Sequence, residues 1–313
     1  MKKVLLVIGI IVLLLAAALL ALLIFLSKKP AVPNNYTETV QTGGELEASY
    51  LAMGPHEIGY YESGSLNSFE KYEMYYPLDI ARSGPLPMVV FVNGTGVKGS
   101  KYPALQKHMA SWGFITIATE EEYAWNGFSA EMCVRYLTAL NGYRSEGEEN
   151  TFYGKIDLER IGITGHSQGG TGVINAITDQ RNADAYKAAV ILSGGGNKKL
   201  SQEALLWDFD ERKIHAPTLM LASTGDAEIG LVSLADMQSL FENIPGGVVK
   251  AMARRRDIGH GEMLYYGDGY VTAWFMWLLQ DDEKAQSAFV GENPEFIFNP
   301  LYQDQRVSLP DKP

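Results

Sequence analysis

The sequence predicts an α/β fold, a mostly parallel twisted sheet with helices on both faces, preceded by one N-terminal transmembrane helix. Three observations predict it. Short apolar runs at 87–92, 114–118, 160–164, 188–192, 218–222 and 248–253 recur along the chain. Between them lie stretches of helical spacing at 102–112, 129–140, 169–178 and 270–280. Parallel strands need crossovers long enough to hold a helix, so this alternation points to a sheet covered on both faces. The third observation is the run 4–26, opened by Val4 and closed by Leu26, which carries no charge and departs from the apolar set only at Gly9.

That run comes first in the chain. At about 1.5 Å of rise per residue, a helix of this length crosses a hydrocarbon core of about 30 Å. A cleaved signal has a shorter apolar region followed by a small-residue cleavage site, and here Ser27-Lys28-Lys29-Pro30 follows. We therefore expect residues 1–29 to be an uncleaved membrane anchor with the body outside the cytoplasm. Lysines flank the run on both sides, so the positive-inside count nearly balances. Residues 30–55 are rich in Pro, Asn, Thr, Gly and Glu and read as a tether. Residues 56–313 read as one domain. The stretch 70–76 alternates like a half-exposed strand, and 270–280 reads as an amphipathic closing helix.

Charge excludes one class of partner. The four lysines before residue 30 face no acid, so the remainder sets 22 basic residues against 37 acidic ones. A body this acidic is a poor ligand for a phosphate backbone, and no nucleic-acid partner is expected. A single cysteine, Cys133, excludes an internal disulfide and any multi-cysteine metal site. It falls among apolar helical neighbours and reads as a core residue.

The chemistry concentrates at Gly165-His166-Ser167-Gln168-Gly169. A serine between glycines, after a strand and before a helix, fits a sharp turn that presents its hydroxyl at the edge of a sheet. Such a nucleophile needs a base and an acid to orient it, which follow in the order Ser, Asp/Glu, His. Only His215 and His260 follow Ser167. His215 precedes Pro217 at a strand start, whereas His260 lies in a glycine-flanked loop after the last strand, so His260 is the expected base. For the acid, Asp226 stands just beyond the strand 218–222, with Glu228 and Asp257 as rivals; Asp226 is the expected orienter. His166 is expected to pack away from Ser167.

An oxyanion hole completes this arrangement. One donor would be the Gln168 N–H, and the other the Thr95 N–H in the loop Asn93-Gly94-Thr95-Gly96. The same loop reads Gly94-x-Gly96-x-x-Gly99, with Glu120 about twenty residues on, which matches a dinucleotide fingerprint. Pro103 and the bulky Lys101-Tyr102 pair oppose that oxidoreductase reading.

The glycine loop after Phe91, the stretch Ala110-Ser111-Trp112-Gly113-Phe114, the Gly165–Gly170 turn, Pro217, Gly225-Asp226 and Gly259-His260 together resemble an α/β-hydrolase. They are most similar to the dienelactone-hydrolase-like and cutinase-like polyester hydrolase branch, with its platelet-activating-factor acetylhydrolase and chlorophyllase relatives. The resemblance covers about residues 70–290. It implies Ser167 as nucleophile, His260 as base, Asp226 as orienter and Thr95 and Gln168 as oxyanion donors. It also implies a serine esterase that needs no cofactor. Two positions depart from the branch. Thr95 stands where polyesterases place an aromatic, and Ser193-Gly194-Gly195-Gly196 where they carry a tryptophan.

Tyr123 and Trp125, after the strand 114–118, are candidate substrate-binding residues. Residues 194–212 are a candidate lid with Leu205, Leu206 and Trp207 as its apolar face. The expected function is hydrolysis of a carboxylic ester, of a small molecule, lipid, carbohydrate or polymer, through an acyl-enzyme. A catalytically silent scaffold that binds a ligand or partner is the alternative.

Overall fold

Runs of β-branched and other apolar residues build the centre of the sheet. The strands are β1 (Ile58–Gly64), β2 (Lys71–Pro77), β3 (Leu86–Val92), β4 (Ile115–Thr119), β5 (Ile156–His166), β6 (Tyr186–Leu192), β7 (Thr218–Ser223), β8 (Lys250–Arg255) and β9 (Tyr302–Ser308). The structure, a computed structural model, describes residues 29–65, 69–143 and 149–310. Within these residues one sheet runs in the order β1-β2-β4-β3-β5-β6-β7-β8-β9. The strands from β4 to β8 in that order are parallel, and β1, β2 and β9 pair antiparallel at the ends. The parallel strands are buried on both faces, so they read as continuous apolar runs.

The helices are α1 (Tyr36–Thr39), α2 (Glu45–Leu51), α3 (Pro103–Ser111), α4 (Phe128–Gly142), α5 (Gln168–Thr178), α6 (Asp226–Leu231), α7 (Leu234–Asn243), α8 (Met263–Tyr266), α9 (Asp268–Gln280), α10 (Glu283–Gln286) and α11 (Glu295–Phe298). Val134, Leu137, Val173, Ile177 and Leu240 pack α4, α5 and α7 on one face. Met109, Trp274, Phe275 and Leu279 pack α3 and α9 on the other. Full burial of a side chain of this size contributes about 1.5–3 kcal/mol, which is why α9 closes the domain. Cys133 is buried in the first of these layers.

Residues 30–55 depart from the expected tether, because they pack onto the body. Val32, Tyr36, Tyr50 and Leu51 are buried against α3 and its neighbours. The Tyr36 hydroxyl donates to Asp268, and Asp268 pairs with His108 Nδ1 at 2.6 Å. Glu47 accepts from the Tyr302 hydroxyl at 2.7 Å and from Asn299 Nδ2 at 2.8 Å. A few large apolar side chains in a polar stretch are enough to dock it. The expected anchor, 4–26, lies outside the described residues; among those described, no helix is long and apolar enough to cross a membrane.

Candidate active site

Every element of the site sits at the C-terminal edge of the parallel strands. The long central strand β5 ends at His166 and α5 begins at Gln168, which leaves Ser167 alone to make the turn. Its backbone takes φ 58° and ψ −122°, a conformation that L-residues rarely adopt. Such strain costs about 1–3 kcal/mol and persists only where the surroundings over-determine it. Here Ser167 N donates to Leu192 O at 2.8 Å, and Gly170 N donates to Ser167 O at 2.9 Å. The flanking glycines allow the close approach. A Cβ on Gly165 would lie 2.4 Å from Gly169 O, and one on Gly169 would lie 2.2 Å from Val92 O.

The imidazole of His260 arrives on the loop between β8 and α8. Three contacts fix that loop: Gly225 N to Ile258 O at 3.0 Å, Asp257 N to Thr224 Oγ1 at 3.1 Å, and Gly259 N to Glu262 Oε2 at 2.7 Å. His260 Nδ1 hydrogen-bonds the Glu228 carboxylate. Glu228 is fully buried, and its other oxygen accepts from Ser223 N at 3.3 Å. Burial raises the pKa of this carboxyl, but the His260 hydrogen bond leads the opposing contacts, which leave it below its ordinary value. The group therefore favours its charged form.

Asp226, expected as the orienter, is not the acid on His260. It is the exposed first residue of α6. Two helical positions turn about 200°, so Asp226 and Glu228 lie on opposite sides of α6 and only Glu228 faces inward. Glu228 and Val232 share a buried i, i+4 face, while Asp226 and Ile229 share an exposed i, i+3 face.

Ser167 and His260 line one cavity of about 470 Å³, together with Thr95, Gln168, Tyr123 and Ser193. Leu200, Leu205, Trp207, Leu231 and Val232 form its apolar wall. Of these, Leu200, Leu205 and Trp207 fall in the segment expected as a lid, Leu200 within a π-helical turn, Lys199–Ala204, and the other two just after it. Leu200, Leu231 and Val232 were not singled out from sequence, because a loop residue's facing has no periodic signal. Trp125 does not line this cavity. Asn175 Nδ2 holds its carbonyl at 2.9 Å, and Tyr123 alone of the two lines the pocket.

The glycine loop after β3 is pinned by side chains. Asn93 Nδ2 donates to Thr119 O at 2.7 Å and to Glu121 O at 2.8 Å. Gly94 N donates to Tyr102 Oη at 3.2 Å and Gly96 N to Glu122 O at 2.9 Å. Among the described residues Thr95 N has no protein acceptor, and Thr95 faces the cavity. Gln168 stands at the N-terminus of α5, where backbone N–H groups are unused and negative charge is favoured. The loop does not open a helix as a dinucleotide site requires, since α3 begins only at Pro103. Glu120 is already engaged by Ser100, through its N–H and its hydroxyl, each at 2.8 Å. Among the described residues no cluster of three or more His, Cys, Asp and Glu could hold a metal ion.

His166 is buried and does more than pack. Its Nε2–H donates to His260 O at 2.8 Å, and its ring lies 4.6 Å from that of His260. Burial is the main cause that pulls its pKa from 6.5 down to about 4, with the His260 charge acting the same way. The folded pKa is depressed, so protons favour the unfolded chain once pH falls below about 6.5. His166 then withdraws about 3 kcal/mol of stability by about pH 4. We expect His166→Phe to be the less stable protein at pH 7, having lost the bond to His260. It should also lose less than the wild type on acidification. Unfolding free energies measured by denaturant at pH 7, 5.5 and 4 check this; parallel curves would refute it.

Two comparisons with known proteins bear on the site. Residues 34–299 match the family model described as PETase, PET hydrolase-like. A curated relative, bis(hydroxyethyl) terephthalate hydrolase of Streptomyces coelicolor, is 25% identical over 224 residues, covering 68% of this chain. The match spans 64% of that relative's own length, just under two thirds.

Proposed function

The chain belongs to the PET hydrolase-like family of α/β-hydrolases, and from that premise and the site geometry we propose that it is a serine hydrolase of carboxylic esters. One observation carries the reading: a serine held in a strained strand-to-helix turn shares a cavity with a histidine whose far nitrogen is bonded to a buried carboxylate.

In this mechanism His260 Nε2 takes the Ser167 proton and the alkoxide attacks the ester carbonyl. The amides of Thr95 and Gln168 receive the oxyanion, each contributing about 2.7–4 kcal/mol in the transition state. Glu228 holds the imidazole in the required tautomer and stabilises the imidazolium that forms. The alcohol leaves with the proton from His260, and water hydrolyses the acyl-enzyme by the same route. The anchor reading of residues 4–26 belongs to this proposal, with the body outside the cytoplasm.

The apolar wall that includes Leu205, Trp207 and Leu231, with Tyr123 in the same lining, favours an acyl group of about the size of an aromatic ring. The named substrate of the Streptomyces relative is therefore the first to test on the full chain, beside p-nitrophenyl esters from acetate to palmitate. The expected result is turnover of aryl and short acyl esters with a fall at the longest soluble chains. No turnover of any ester would overturn the proposal.

A further inference from the structure

We infer that the edge bearing the cavity mouth is a lipid-docking surface, and that the ester reaches Ser167 from a bilayer. The inference rests on the hydrolase and anchor readings above and adds the orientation of the site.

The first support is where the chain enters the body. Ala31 N donates to Lys101 O at 2.9 Å, and Lys101 Nζ donates to Lys29 O at 3.3 Å. Val32 and Tyr36 are buried with Tyr102 and Leu105 immediately after. Lys101 lies between the glycine loop after β3 and the start of α3, at the same strand ends that carry Thr95 and Ser167. Residues 30–55 are docked and cannot act as a spacer. Leu26 closes the apolar run three residues before Lys29, a reach of at most about 11 Å. A bilayer that holds the run thus lies within about that distance of this edge.

The second support is what the edge exposes. Tyr123 follows β4, Leu205 and Leu206 follow β6, and Ile229 follows β7, and all four are exposed large apolar side chains. Leu206 is 73% exposed with φ 57°, so its side chain stands in solvent on a backbone that leucine rarely adopts. Tyr123 and Leu205 line the cavity, and Leu206 and Ile229 lie within two residues of its lining residues Trp207 and Leu231; exposed apolar side chains so placed, beside the exit of an apolar run, fit a lipid surface. The body is strongly acidic. Docking must therefore be apolar, and zwitterionic lipid should serve as well as anionic lipid.

The test uses the full chain reconstituted in phosphatidylcholine vesicles, with the double variant Leu206→Glu, Ile229→Glu. Two substrates are compared: p-nitrophenyl butyrate from solution and p-nitrophenyl palmitate dissolved in the bilayer. We expect butyrate turnover within about twofold of the wild type and palmitate turnover reduced about tenfold or more. Equal losses on both substrates, or none on either, would overturn the inference. A wild type that hydrolyses butyrate but not the bilayer palmitate would also overturn the inference, and one that hydrolyses neither ester would instead remove the hydrolase reading. Failure of the wild type to float with the vesicles would remove the anchor.

A nitroxide at Leu206→Cys gives a readout independent of turnover, since Cys133 is buried. In the vesicles it should be quenched by oxygen more than by a water-soluble nickel chelate. Nickel access equal to that of a fully exposed site would contradict the inference.

Discussion

Replacing Ser167 by alanine is expected to lower kcat for p-nitrophenyl butyrate by a factor on the order of 10⁶ while leaving the thermal midpoint nearly unchanged. In the proposed mechanism the loss is large because the hydroxyl oxygen is the bond-forming atom. Without it His260 has no proton to accept, and what survives is binding and oxyanion stabilisation. The fold should persist because the turn is held by backbone, with Ser167 N on Leu192 O and Gly170 N on Ser167 O. Alanine meets about the same strain at φ 58° as serine does. Stopped-flow turnover and calorimetry on the same preparation separate the effects. A variant that keeps turnover would remove Ser167 from the mechanism.

Substitution at Glu228 should have the next largest effect. Glu228→Gln is expected to reduce kcat by about 10⁴, whereas Asp226→Asn should stay within about twofold of the wild type. A glutamine amide in the Glu228 position carries no charge to stabilise an imidazolium. It can also present its own N–H to His260 Nδ1, which favours the wrong tautomer. Asp226 is exposed on the far side of α6 and touches neither imidazole nitrogen. Glu228 also links the site to stability. Its folded pKa lies below the ordinary carboxylate value, so its contribution is present above that value and fades as pH falls through the folded pKa. The variant should therefore lose less stability than the wild type on acidification through that range. Equal kcat for Glu228→Gln and wild type would move the orienting role elsewhere.

The α/β architecture was legible because buried parallel strands and crossover helices leave unlike periodicities. The central strands and α3, α4, α5 and α9 fall where those patterns placed them. The end strands β1 and β9 were not legible. Segments such as Tyr302–Ser308 mix polar and apolar residues because one side or edge meets solvent. The Ser167 turn and the His260 loop could be read from glycines at fixed spacing, which report backbone needs directly. The acid could not be assigned by the same logic, since α6 starts immediately after Gly225 and the facing of its residues depends on helical phase. Residues 30–55 looked like a tether because polar composition dominates there. Their docking depends on Val32, Tyr36, Tyr50 and Leu51 meeting surfaces built by distant parts of the chain.

We propose Ser167 as an activated nucleophile in an esterase site. Titration of the full chain with diethyl p-nitrophenyl phosphate, followed by peptide mass mapping, tests it most directly. About one p-nitrophenol should be released per chain, with the diethylphosphoryl adduct on Ser167. No release, or an adduct on another residue, would contradict it.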